Sequence, residues 1–91
     1  MANNADNTLI NLTANEAILL QQVHEDGEDD TRSLSHVLGM SRPHVMAIVD
    51  HLRQKGLVAI EGEYDGLWVH LTHKGRQLVN YMWPEALGMY A

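Results

Sequence analysis

The spacing of apolar residues changes period at Lys55-Gly56, and that change fixes most of what the chain can become. Before it, Val45, Ile48, Val49 and Leu52 fall at i, i+3, i+4 and i+7, the pattern of a helix with one buried face. Ser41 is placed to cap this helix, Pro43 fits its first turn, and Lys55 and Gly56 supply a cationic last turn and a C′ glycine. After it, residues 57–61 and 67–71 read as strands. Leu67, Val69 and Leu71 share one face of the second strand, and Trp68 and His70 share the other. Gly62-Glu63-Tyr64-Asp65-Gly66 joins the two as a hairpin loop. A helix feeding directly into a hairpin must pack its buried face against the apolar face of the strands.

The remaining elements follow from local signals. Thr13 and Glu16 have capping-box spacing, with Leu12 and Ala17 placed as a hydrophobic staple. The helix they open, residues 14–24, carries Ala17, Ile18, Leu19, Leu20 and Val23 as a core-facing stripe. The acidic run 25–30 is expected to be a solvated loop whose charge favours the start of the next helix. That helix, residues 31–38, takes Thr31 as its N-cap and turns Leu34, Val37 and Leu38 to the core, with Gly39 closing it. Thr72 caps a last helix, residues 73–83, which Pro84 ends. The expected organisation is a flexible segment 1–11, a domain 12–83 and a tail 84–91. Two helices joined by a short glycine-containing turn and followed by a hairpin give an α+β, mainly α, fold. It is a winged helix-turn-helix with a three-helix core, a two-stranded wing and a C-terminal helix.

Composition removes several classes of function. The 91 residues include no cysteine, which excludes disulfides, thiolate catalysis and cysteine-held zinc or iron–sulfur clusters. No apolar run approaches ~18 residues, so no membrane span is expected. The first eight residues lack the cationic and apolar segments of a signal peptide, and a reduced, cytoplasmic location is expected. No nucleophile–base set, phosphate loop or metal motif points to an enzyme or a cofactor. His44 and His51, and His70 and His73, lack a third ligand at supporting spacing, so no metal site is assigned. The formal charge of −6 is unevenly placed. Residues 1–31 hold seven acids and no Lys or Arg. All six cations lie within residues 32–76, against four acids. An anion-binding surface belongs in that middle segment.

The segments Leu34-Ser35-His36-Val37-Leu38-Gly39-Met40-Ser41-Arg42, Val49-Asp50-His51-Leu52, Lys55-Gly56-Leu57-Val58 and Leu71-Thr72-His73-Lys74-Gly75-Arg76 together resemble the MarR-type transcriptional regulators over about residues 12–80. The resemblance implies sequence-specific binding of double-stranded DNA, with the helix 41–55 in the major groove. Arg42, Pro43, His44, Met46 and Ala47 would then meet base edges or nearby phosphates, with Ser41, Thr31, Arg32, Ser33 and Arg53 on the backbone. Where the family carries an Asp-x-Arg in the wing, this chain has Asp65-Gly66-Leu67, and its wing tip is acidic at Glu63 and Asp65. Tyr81, Met82, Trp83 and Leu87 form an apolar, aromatic chain end expected to make a homodimer. The competing expectation is a winged-helix protein-interaction module, in which Tyr64, Trp68 and the acidic surface meet a protein partner.

Overall fold

The structure is a computed structural model that describes residues 12–63 and 66–83. In chain order the elements are α1 (Ala14–Asp26), β1 (Glu28–Asp30), α2 (Thr31–Leu38), α3 (Arg42–Gln54), β2 (Val58–Glu63), β3 (Gly66–Leu71) and α4 (His73–Met82). The predicted segments 1–11 and 84–91 lie outside the described residues, as do Tyr64 and Asp65 of the hairpin loop.

Capping explains most element boundaries. Thr13 Oγ1 accepts the Glu16 N–H at 3.1 Å, and Glu16 Oε1 accepts the Thr13 N–H at 3.0 Å, which closes the predicted capping box. Between α2 and α3 the chain reverses at Gly39, whose φ of +67° suits a residue without a side chain. The Gly39 N–H then reaches His36 O and the Met40 N–H reaches Ser35 O, satisfying carbonyls that the helix end leaves bare. The same pair of bonds ends α3, where Gly56 N–H reaches Arg53 O and Leu57 N–H reaches Leu52 O. Thr72 caps α4 through Gly75 N–H and also donates its hydroxyl to Gly56 O at 2.6 Å, stitching the start of α4 to the end of α3.

One core joins all the helices to the sheet. The predicted face of α3 (Val45, Ile48, Val49, Leu52) is buried, together with Leu19, Leu20 and Val23 of α1, Leu34 of α2, and Val69 and Leu71 of β3. Leu19, Leu20, Leu34 and Leu52 are fully buried, so truncating any one to Ala costs about 2–5 kcal/mol. Two expected core residues are exposed instead. Ile18 is 47% exposed and Val37 is 57% exposed. A short helix on a small core buries only a narrow stripe, and Leu19–Leu20–Val23 and Leu34 already occupy it.

The acidic run is the main correction. Residues 28–30 form a strand, not a loop, and pair antiparallel with β3 as Glu28↔His70, Asp29↔Val69 and Asp30↔Trp68. The sheet therefore has three strands in the order β1-β3-β2, with β2 and β3 paired from Val58↔Leu71 to Glu63↔Gly66. An Glu-Asp-Asp segment has poor strand propensity, but the open edge of β3 offers backbone partners that override it. A charged edge strand also discourages pairing with further chains. The same rearrangement displaces the predicted cap of α2. Asp30 is the N-cap, its Oδ1 accepting the Ser33 N–H at 2.6 Å, while Thr31 is the first helical residue and is buried.

Candidate nucleic-acid interface

Helix α3 is held against the core by its apolar face, and this decides which of its residues meet solvent. Arg42, Pro43, His44, Ala47 and Arg53 are exposed, and Met46 is half-buried. Ser41 is exposed and serves as the N-cap, its hydroxyl accepting the His44 N–H at 3.3 Å. The far end of α3 is fixed to α1. Glu16 is buried, and its Oε1 takes the Lys55 ammonium at 3.0 Å while Oε2 lies 3.7 Å from His51 Nδ1. A buried carboxylate bonded to both the α1 cap and the end of α3 restrains the angle at which α3 projects.

The candidates on α2 divide. Arg32 and Ser33 are exposed, but Ser33 gives both its N–H and its hydroxyl to Asp30. Thr31 is 1% exposed, so the hydroxyl expected to meet a phosphate faces the interior.

Cation pairing separates the positive residues further. Arg53 is bound to Asp50 at 2.7 Å, and Asp50 also accepts Gln54 Nε2 at 2.7 Å. The Arg53 hydrogen bond holds the Asp50 carboxyl below its ordinary range. Lys74 Nζ and the Arg76 guanidinium donate to the Lys55 and Leu71 carbonyls. Arg32 and Arg42 have no hydrogen-bond or ion-pair partner among the described residues. Both line an open groove of about 230 Å³ with Asp30, Thr31, Gly66 and Trp68. Trp68 was expected only to face a protein partner. The strand alternation that turns it outward was visible in the sequence, whereas its meeting with α2 and α3 depends on the sheet's position.

No known family profile matches the chain, and no curated protein sequence matches it. Solved structures do. The oxidised form of MarR from E. coli superposes with a TM-score of 0.76 at 21% identity, covering 87% of this chain and 62% of that one. The fold is that of MarR. A mutant MarR complexed with operator DNA matches with a TM-score of 0.73 at 20% identity, over 93% of this chain and 69% of that one. BpsR from Bordetella bronchiseptica, whose DNA binding is regulated by 6-hydroxynicotinic acid, gives a TM-score of 0.73 at 24% identity. That match covers 88% of this chain and 58% of BpsR, so the chain spans about three-fifths of the MarR-fold proteins it resembles. In this MarR-type fold, α2 and α3 are the helix-turn-helix and β2–β3 is the wing. The acidic strand β1 completes the sheet on the side away from β2.

The apolar chain end is partly absorbed by the core. Met82 and Trp83 are half-buried and pack against it, while Tyr81 is 72% exposed. Leu87 lies outside the described residues. Among the described residues no helix is long and apolar enough to cross a membrane.

Proposed function

We propose that the chain binds duplex DNA as a small transcriptional regulator, with α3 in the major groove and the start of α2 against the phosphate backbone. One observation carries this reading: Arg32 and Arg42, the cations without a partner among the described residues, flank the exposed start of α3. A helix-turn-helix uses that end of its second helix to meet base edges. Arg42 offers a planar guanidinium for a base edge or a phosphate, His44 a ring nitrogen, and Met46 and Ala47 apolar contact to thymine methyls. The operator complex of the MarR structure supports the reading by analogy of fold. The chain is expected to act as a homodimer in the cytoplasm, without enzymatic activity.

A titration of 15N-labelled protein with duplex DNA at about 50 mM salt tests this, because phosphate-dominated binding weakens steeply as salt rises. Amide shifts should concentrate in residues 41–47 and 31–33. Arg42→Ala should weaken binding by about 1–3 kcal/mol. Absence of any shift at that salt, or uniform small shifts, would overturn the reading in favour of the protein-interaction module.

A further inference from the structure

Arg32, Arg42 and Trp68 come from three different elements, the starts of α2 and α3 and the middle of β3, yet they line one groove. The other four cations are engaged within the chain, by Asp50, Glu16 and two backbone carbonyls. The groove thus gathers the two guanidinium groups that lack a partner among the described residues. Like charges lining one groove repel each other and are stabilised by an external anion. The carboxylate among the groove residues, Asp30, already accepts from Ser33 N–H and Oγ. Trp68 is 43% exposed on the outer face of the central strand, so a large aromatic surface stands open beside the two charges.

We propose that Arg32, Arg42 and Trp68 grip one phosphodiester unit of the DNA strand beside the wing. The inference rests on the DNA-binding reading above and adds Trp68 to it. A guanidinium fork matches phosphate oxygens, and two of them can hold both non-bridging oxygens. The indole face covers the apolar deoxyribose, and its Nε1–H adds a donor. An alternating charged and apolar surface in an open groove suits a continuous sugar-phosphate chain better than an enclosed small anion.

The chain has two tryptophans, so protein labelled with 5-fluorotryptophan gives two 19F resonances, assigned through Trp68→Phe. Duplex DNA is added at about 50 mM salt, with binding followed in parallel by anisotropy of labelled DNA. The Trp68 resonance is expected to move along the anisotropy curve. Trp68→Ala should weaken binding about tenfold, an effect within the range for aromatic contacts to nucleic acid. Replacing Arg32 and Arg42 together by Ala should lower the salt slope by about one. Because Trp68 lies outside the core, its variants are checked for an unchanged melting profile. If DNA binds while the Trp68 resonance stays fixed and Trp68→Ala binds equally, the grip is overturned and the DNA reading stands. If no binding occurs at this salt, both fall. If inorganic phosphate at matched ionic strength moves the resonance as far as duplex does, the groove is a small-anion site and the proposal is overturned.

Discussion

Asp29 sits on the side of the sheet shared with Val69, where a carboxylate is poorly solvated. Burial, reinforced by Asp26 and Asp30 nearby, raises its pKa to about 7 from an ordinary value of 3.8. Below about pH 7 the folded chain keeps Asp29 protonated, and it shares a hydrogen bond with Asp26. The Asp26 carboxyl is held low, first by Gln22 and then by Asp29. A raised folded pKa means that the group's contribution to stability is complete below about pH 4 and is lost as pH rises through about 7. Asp29→Asn keeps a donor for Asp26 and removes the titration. It is expected to raise the thermal midpoint at pH 8 and to leave it nearly unchanged at pH 4. Equal effects at both values would show that Asp29 does not titrate in this range. Glu16 is the opposite case, a buried carboxylate that is paired. Glu16→Gln can keep the capping bond but removes the negative charge that the Lys55 ammonium, 28% exposed, meets at 3.0 Å. A loss of about 1–3 kcal/mol is expected in urea denaturation. A loss no larger at Glu16 than at an exposed acid such as Glu25 would refute the tie.

The contact between α4 and the start of the hairpin leaves no space for a side chain. A Cβ at Gly75 would run into the Leu57 carbonyl oxygen, which already accepts the Thr72 N–H. Backbone cannot yield as a flexible side chain does, so Gly75→Ala is expected to cost about 1–3 kcal/mol although alanine is the better helix former. Alanine at the exposed Gln77, two residues on, should be neutral or slightly stabilising, and urea denaturation of the pair separates the two effects. Gly75 belongs to a motif legible in the sequence, but the close approach that demands glycine lies between segments 18 residues apart and was not. The same division runs through the other elements. Strong period and capping chemistry identified α3 from Val45, Ile48, Val49 and Leu52, and the outward Trp68 from strand alternation. β1 was hidden because Glu28-Asp29-Asp30 has neither propensity nor a full period, and forms only on the edge that β3 provides. Thr31 lost its capping role to Asp30 for the same reason, since the strand carries Asp30 into the cap position. The groove of Arg32, Arg42 and Trp68 is a tertiary feature, and single-chain patterns gave its members without their meeting.

At the scale of the whole molecule the acidic run and the proposed DNA contact meet at Asp30, whose carboxylate is already bonded to Ser33. Seven acids precede residue 32, and five of those lie at the end of α1 and along β1. The cations Arg32 and Arg42 face the start of α3. A small patch of this kind gives modest affinity by itself, because few phosphates are neutralised and each contributes little. Two copies linked by a two-fold axis would present two α3 helices to half-sites about 10 base pairs apart, and the second contact would then be effectively intramolecular. Tyr81, 72% exposed beside the half-buried Met82 and Trp83, is the described residue best placed to extend the core into such a contact. Sedimentation velocity is expected to show a species of twice the 10.2 kDa chain mass. Tyr81→Asp should shift it toward monomer. The same variant should lose affinity for a two-half-site duplex while binding a single half-site as well as the parent does. A strict monomer at high concentration, or a Tyr81→Asp chain that still sediments as a dimer, would remove the C-terminal interface from this account.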